Sequence, residues 1–342
     1  MNNALRNVCV IGGSRYFGLR LVTLLRDSGA RVTLVNRGSA PPPPGVDHVV
    51  ADRSDEAALA AALGGRTFDA VLDQVLYTPA EAAVARRVFA GRTGRYVMTS
   101  TMEVYDPATS PLVHTTPGVP VSEETVDPAQ WPVDLGLPWQ DPAALAGRFD
   151  EATRYAEGKR QAEAVLAQDA PFSWATVRSA HVLGGGARDF TGRLAHYTGL
   201  IAAGRPVAVH RRPQPTSFVH HEEIAAALVR VAASDVVGPL NACSPEPLDV
   251  LALTDQIAER LGTAARHRVV EGNEASPFSF DRWYPMDGRR ARGLGLHFSP
   301  VADWLPGAVT EAGAEAVTEA AAEAGAGAAA ETAAAAASRK AA

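Results

Sequence analysis

Short runs of continuous apolar residues alternate with segments of helical period through the first half of the chain. Val8–Ile11 reads as a buried strand, Phe17–Asp27 as a helix with Leu19, Val22, Leu24 and Leu25 among its apolar positions, and Val32–Val35 as a second strand. The pattern continues with a strand at Val46–Val50, a helix at Ala57–Leu63, a strand opening at Ala70–Leu72, a helix at Ala80–Phe89 and a strand at Tyr96–Thr99. Strands without polar alternation need cover on both faces, and the intervening helices supply it. An α/β fold with a parallel sheet is therefore predicted.

Residues 106–150 break this rhythm: they are rich in Pro, Asp, Thr and Trp and hold no period, as a functional loop or flap would. A helix resumes over Asp150–Ala167, followed by a strand at Trp174–Val177. Beyond Gly184 the units are smaller: helices near Arg193–Ala203, Glu222–Ala233 and Val250–Leu261, and a strand near Val207–Val209. This predicts a core domain over 1–180 and, mainly over 181–308, a smaller C-terminal lobe above the carboxyl ends of the strands, with the chain free to cross between them. Residues 309–342 are almost wholly Ala, Glu, Gly and Thr, and so predict a disordered tail without catalytic content.

Composition narrows the class. A formal net charge of -6 gives no whole-protein reason to bind nucleic acid or an anionic membrane. No apolar run approaches the roughly 18–20 residues that span a bilayer, and the first strand begins too early for a leader peptide, so a cytoplasmic protein is expected. Cys9 and Cys243 are too few for a disulfide framework and lack metal-ligand spacing, so no metal is expected. Of the 32 Lys plus Arg residues only Lys159 and Lys340 are lysines. A lone lysine in the globular body points to a place where a compact ammonium is required.

Gly12-Gly13-Ser14-Arg15-Tyr16-Phe17-Gly18 joins the first strand to the first helix. A dinucleotide diphosphate docks at such a turn on backbone N–H groups, and the three glycines allow the turn, the close approach of phosphate and the packing of helix on strand. The second strand ends in Asn36-Arg37-Gly38, with no carboxylate to hold ribose hydroxyls. Arg37, with Arg15, is placed to neutralise a 2′-phosphate, which favours NADP(H) over NAD(H). Asp52, after the third strand, is placed to accept from an adenine amino group. The fold class is accordingly a doubly wound Rossmann sheet.

Tyr155 and Lys159 lie four apart on one helix, which puts phenol and ammonium on the same face. A nearby ammonium lowers a phenol pKa, and Tyr155 could then relay a proton to a substrate oxygen while Lys159 also holds the nicotinamide ribose. The fifth strand ends in Thr99-Ser100-Thr101-Met102-Glu103-Val104-Tyr105, at the sheet edge where such sites assemble.

Together, the Gly-rich turn, the strand-end Ser-Thr-x-x-Val-Tyr, the Tyr-x-x-x-Lys and Ser217-Phe218-Val219-His220 resemble the extended short-chain dehydrogenases/reductases, over roughly residues 7–305. That resemblance implies a catalytic trio of Thr101, Tyr155 and Lys159, with Ser100 beside it toward substrate. Thr101-Met102-Glu103 is similar to the Thr-x-Glu of sugar-nucleotide dehydratases and implies Glu103 as a base. Two positions depart from that pattern. Met102 stands where some dehydratases have an acid, and Thr216 where many members carry an arginine that clamps a diphosphate. Arg193, Arg211, Arg212 and Arg282 are the candidate replacements, and His181 is placed to face the substrate.

The resulting expectation is an NAD(P)-dependent enzyme acting at a secondary alcohol or ketone of a sugar-like substrate, of epimerase or dehydratase type. The alternatives are an NADPH-dependent ketoreductase of natural-product metabolism and a non-catalytic Rossmann RNA-binding protein, as in plastid relatives of the atypical Gly-Gly-x-Arg branch. The expected partner is a small molecule, with a homodimer left open.

Overall fold

The computed structural model describes residues 5–313. The elements follow in the order β1 (Asn7–Ile11), α1 (Tyr16–Asp27), β2 (Arg31–Asn36), β3 (Asp47–Val50), α2 (Glu56–Leu63), β4 (Ala70–Asp73), α3 (Pro79–Phe89) and β5 (Arg95–Thr101). After the irregular stretch come a short α4 (Pro142–Leu145), α5 (Glu151–Asp169), β6 (Ser173–Ser179) and β7 (His181–Leu183). The rest comprises α6 (Arg193–Ala202), β8 (Val207–Val209), β9 (Phe218–His220), α7 (His221–Ala232), β10 (Gly238–Ala242), α8 (Val250–Leu261), β11 (His267–Val269), α9 (Arg289–Gly293) and a last helix, α10, described over 301–313.

Seven strands form one parallel sheet in the order β10-β6-β5-β4-β1-β2-β3. The predicted continuous apolar strands divide the core by their own alternation. Val8, Val10, Val32, Leu34, Leu72 and Val97 enter the cluster on one face, with Leu21 and Val22 of α1 and Ile224 and Leu228 of α7. Cys9, Ile11, Val35, Val71 and Met98 enter the other, with Leu59 of α2, Phe89 of α3 and Leu166 of α5. The strand order reverses between β1 and β4, and a crevice opens there at the carboxyl ends.

The chain beyond 180 divides its time between two bodies. α7 packs on α1, and β10, which no apolar run had marked, extends the sheet beside β6. α6, α8 and α10 build a separate cluster with Leu183, Phe218 and Phe278. Val309 is fully buried there and Ala312 nearly so, which corrects the tail predicted from 309: the helix begun at 301 runs to 313 because its apolar face still has a core to cover. The remainder of that tail lies outside the described residues. Among the described residues no helix is long and apolar enough to cross a membrane.

The stretch over 106–150 is packed down rather than free. Two buried arginines, Arg160 and Arg178, hold its first part: Arg160 donates to the Asp106 carbonyl and the Thr109 hydroxyl, and Arg178 to the carbonyls of Glu123 and Val126. Arg178 also pairs with Glu163 at 2.6 Å, both fully buried.

Candidate active site

The phosphate turn is shaped by contacts that no side chain could share. Gly12 and Gly13 have φ of 86° and 79°, in the left-handed region. A Cβ on Gly12 would lie 2.9 Å from Val75 Cγ1, one on Gly13 2.9 Å from Val10 Cγ1, and one on Gly18 2.8 Å from Gly13 Cα. The turn opens a cavity of about 530 Å³ at the N-terminus of α1, lined by every residue from Gly12 to Gly18 and by Asn36, Arg37 and Asp52. Unpaired helix N–H groups face it, which suits an anion. This bare cradle fits the diphosphate of a nicotinamide dinucleotide. Tyr16 enters α1 with φ of 49°, an unusual conformation for a residue with a Cβ.

The groups at the adenine end differ in freedom. Asn36 is engaged already: its Nδ2 donates to Ser14 Oγ at 2.7 Å, and its Oδ1 accepts from Gly38 N at 2.7 Å and lies 2.9 Å from His48 Nε2. The Asp52 carboxyl accepts from the Ser54 hydroxyl and backbone N–H, which hold it below the usual carboxylate range. Arg15 and Arg37 are exposed and, among the described residues, have no carboxylate partner.

Lys159 and Tyr155 project from α5 toward the end of β5. Lys159 is 2% exposed; its Nζ donates to the Thr99 carbonyl at 2.9 Å and lies 4.4 Å above the Tyr77 ring. Burial pulls its pKa down to about 8. The Tyr155 ring centroid is 6.0 Å from Lys159 Nζ and 6.2 Å from the Tyr77 ring. Tyr155 is 38% exposed, but desolvation raises its phenol above the ordinary value, while the Thr101 hydroxyl acts against that rise. The expected lowering by the ammonium is absent because Nζ turns to the Thr99 carbonyl and the Tyr77 ring. Thr101, the last residue of β5, also accepts from Glu103 N at 3.2 Å, so it caps the following turn as well as facing Tyr155.

Three further predicted residues gather on the far side of Tyr155. Glu103 places Oε1 3.9 Å from His181 Nδ1, and its Oε2 accepts from the Tyr284 hydroxyl at 3.4 Å. Burial, then the Asp106 charge, pushes its carboxyl up to about 7. His181 sits between Phe278 at 4.8 Å and Phe280 at 5.5 Å, and burial holds it neutral. Arg193, at the start of α6, lies 5.7 Å over the Phe278 ring and has no acid partner among the described residues; its charge acts on Tyr155, Glu103 and His181.

Ser100 is a correction. Its hydroxyl donates to Glu163 Oε1 at 2.5 Å and the residue is 3% exposed, so it ties β5 to α5 instead of facing substrate. The reason is strand alternation, which turns Ser100 away from the side that Thr101 presents. Arg282 is likewise spoken for, holding buried Asp106 through two contacts of 2.7 and 2.6 Å. Arg211 and Arg212 stand exposed. The sequence reading missed Tyr77, Phe278, Tyr284 and Gln74. Tyr77 and Gln74 could have been sought at the carboxyl end of β4, whereas nothing local marks Phe278 or Tyr284.

No family model matches the chain. A curated relative, the 2′-dehydrokanamycin reductase of Streptomyces kanamyceticus, is 30% identical over 187 residues, 49% of this chain and 53% of the relative. The match spans about half the length of that relative. Among solved structures, a UDP-glucose 4-epimerase of Thermotoga maritima with UDP-glucose superposes with a TM-score of 0.68 at 15% identity, covering 91% of this chain and 99% of its own. The Bordetella bronchiseptica enzyme WbmH with NAD+ gives 0.65 at 18%, covering 90% and 97%, and the dTDP-glucose 4,6-dehydratase of Bacillus anthracis with NAD gives 0.66 at 13%, covering 90% and 96%. With its parallel sheet, glycine cradle and Tyr155/Lys159 pair, the chain has the fold of the extended short-chain dehydrogenases/reductases, the NAD-dependent epimerases and dehydratases among them.

Proposed function

We propose that the protein is a nicotinamide-dinucleotide-dependent enzyme acting at a secondary alcohol or ketone of a sugar-like substrate, with NADP(H) preferred. The observation that carries this reading is the convergence of Thr101, Tyr155 and buried Lys159 at the sheet edge beside the glycine cradle. A bound nicotinamide supplies or accepts the hydride. Tyr155 gives the proton to, or takes it from, the substrate oxygen, and Thr101 holds that oxygen by a hydrogen bond. Lys159, anchored on the Thr99 carbonyl, would hold the nicotinamide ribose beside them. Exposed Arg15 and Arg37, with no carboxylate at the end of β2, support the 2′-phosphate preference.

Glu103 favours a net reaction of epimerase or dehydratase type. A carboxyl that titrates near neutrality beside Tyr155 is suited to remove a proton from carbon next to a transient ketone. The 2′-dehydrokanamycin reductase relative supports the second reading, a net ketoreductase acting on a keto amino sugar. The test is nicotinamide absorbance during turnover, with sugar nucleotides and keto amino sugars as substrates. Tyr155→Phe is expected to lose about 10²–10⁴-fold in turnover with cofactor binding intact. Full activity in that variant would end the proposal. Stoichiometric NADPH consumption by the wild type, little changed in Glu103→Gln, would leave the ketoreductase.

A further inference from the structure

We propose that Tyr77 is the positioning residue of Lys159: the face of its ring holds the ammonium in place, and Gly158 is glycine so that Tyr77 can reach it. The bearing on turnover rests on the function proposed above, whereas the contact itself does not. The chain leaving β4 crosses α5 at Gly158, one residue before Lys159. A Cβ on Gly158 would run into the Tyr77 carbonyl oxygen and lie 3.5 Å from the Tyr77 carbonyl carbon. Glycine is unfavourable inside a helix, and here it admits a backbone that no side chain would let so close. From the other side the capping box of α3 clamps the same segment. The Glu81 carboxylate accepts from Tyr77 N at 2.8 Å and from Thr78 N at 3.0 Å, while Glu81 N donates to Thr78 Oγ1 at 3.2 Å. Held between α3 and α5, Tyr77 turns its ring to Lys159, whose Nζ stands over it at 4.4 Å from the centroid. Tyr77 is 44% exposed, so burial in the core is not what keeps the ring there.

The ammonium has few other close partners. Lys159 is buried and, among the described residues, forms no ion pair. One of its N–H groups reaches the Thr99 carbonyl at 2.9 Å. Charged groups act on it from longer range: Asp73 at the end of β4, Glu81 of α3 and Glu163 of α5 favour the cation, and Arg53 opposes it. The Tyr155 ring is the lesser aromatic neighbour, with its centroid 6.0 Å away. The Tyr77 face is therefore the second close contact of Nζ, and the attraction of a cation to such a face strengthens where water is excluded. Without that ring a single hydrogen bond would be left to fix an ammonium on a flexible stem. Lys159 would then no longer stand ready beside Tyr155 for the nicotinamide ribose.

The experiment uses the chain's poverty in lysine. Lys159 and Lys340 are its two lysines, so intact, nucleotide-free protein labelled with ¹³C and ¹⁵N in lysine gives two side-chain signals by nuclear magnetic resonance. Lys159→Met tells which of the two belongs to Lys159. In the wild type the Lys159 ε-methylene protons are expected upfield of those of Lys340, shifted by the Tyr77 ring current. Tyr77→Phe, which keeps the aromatic face, should preserve both that shift and the Lys159 pKa. Tyr77→Leu should abolish the shift and lower the pKa by about 0.5–1 unit, since the cation has lost its partner. Tyr155→Leu, the control for the other ring, should keep most of the shift. Lys159 protons at the ordinary lysine position in the wild type would overturn the inference before any variant is made. An unchanged Lys159 signal in Tyr77→Leu would overturn it too, as would a Tyr77→Phe variant that behaves like Tyr77→Leu. Full turnover in Lys159→Met would instead bring down the proposed function, a failure separate from any in the Lys159 spectrum.

Discussion

The Thr216 hydroxyl donates to the Met102 sulfur at 3.8 Å, and each residue is 1% exposed. These are the two positions at which the sequence departs from the sugar-nucleotide pattern, and the fold makes them one contact. An acid at 102 or a guanidinium at 216, introduced alone, would be a buried charge without a partner, whereas a thioether and a small hydroxyl fill the space without one. Arg282 is bound to Asp106, whereas Arg193 has no carboxylate partner among the described residues and its charge acts on Tyr155, Glu103 and His181.

Thr216→Arg should therefore fail to install a diphosphate clamp. A loss of about 3–5 kcal/mol is expected from burying an unpaired charge in a packed site. Denaturant unfolding measures it. Unchanged stability, or a gain in affinity for a nucleoside diphosphate, would contradict the coupling of the two positions.

Lys159 leads to a stability prediction whose sign depends on pH. Its folded pKa, about 8, lies below the ordinary 10.5, so between those values the unfolded chain holds more protons and stability rises with pH. Below pH 8 the buried ammonium is a cost. Lys159→Met should be inactive yet more stable than the wild type at pH 7 by about 2–3 kcal/mol, with the gain shrinking toward pH 10.5. Unfolding at pH 7 and pH 10 checks this, and a variant less stable than the wild type at pH 7 would refute it.

For the cofactor, the expectation is at least tenfold tighter binding of NADP(H) than of NAD(H), about 1.4 kcal/mol. Arg37→Ala should erase most of that difference and leave NAD(H) affinity unchanged. Equal affinities in the wild type would show that exposed Arg37 does not read a 2′-phosphate.

Glu103 sets a limb of the pH–rate profile if the reaction proceeds through loss of a carbon-bound proton. Its folded pKa is raised to about 7, so the basic form, and with it turnover, should grow through neutral pH. Glu103→Gln should lose that limb and accumulate reduced nicotinamide on the enzyme. A profile identical in both proteins would remove Glu103 from the chemistry.

Local pattern determined a good deal of this protein. The apolar runs from Val8 to Thr99 located five of the seven sheet strands along the chain, and Trp174–Val177 located the sixth, because a strand covered on both faces must be apolar throughout. Their order in the sheet came from the tertiary structure. The glycine turn and the Tyr155/Lys159 spacing were legible for a similar reason: each is a constraint within one turn or one helix. β10 was not, since Gly238-Pro-Leu-Asn-Ala carries a weak apolar signal and is a strand only because the open edge of β6 accepts it. Nor was the direction in which Ser100 points, nor that Arg282 had found Asp106, nor that Phe278 and Tyr284 wall the site. These depend on partners as many as 176 residues away in the chain for Arg282 and 181 for Tyr284. Long-range packing alone decides which side chains are spent on the fold and which stay free for a ligand.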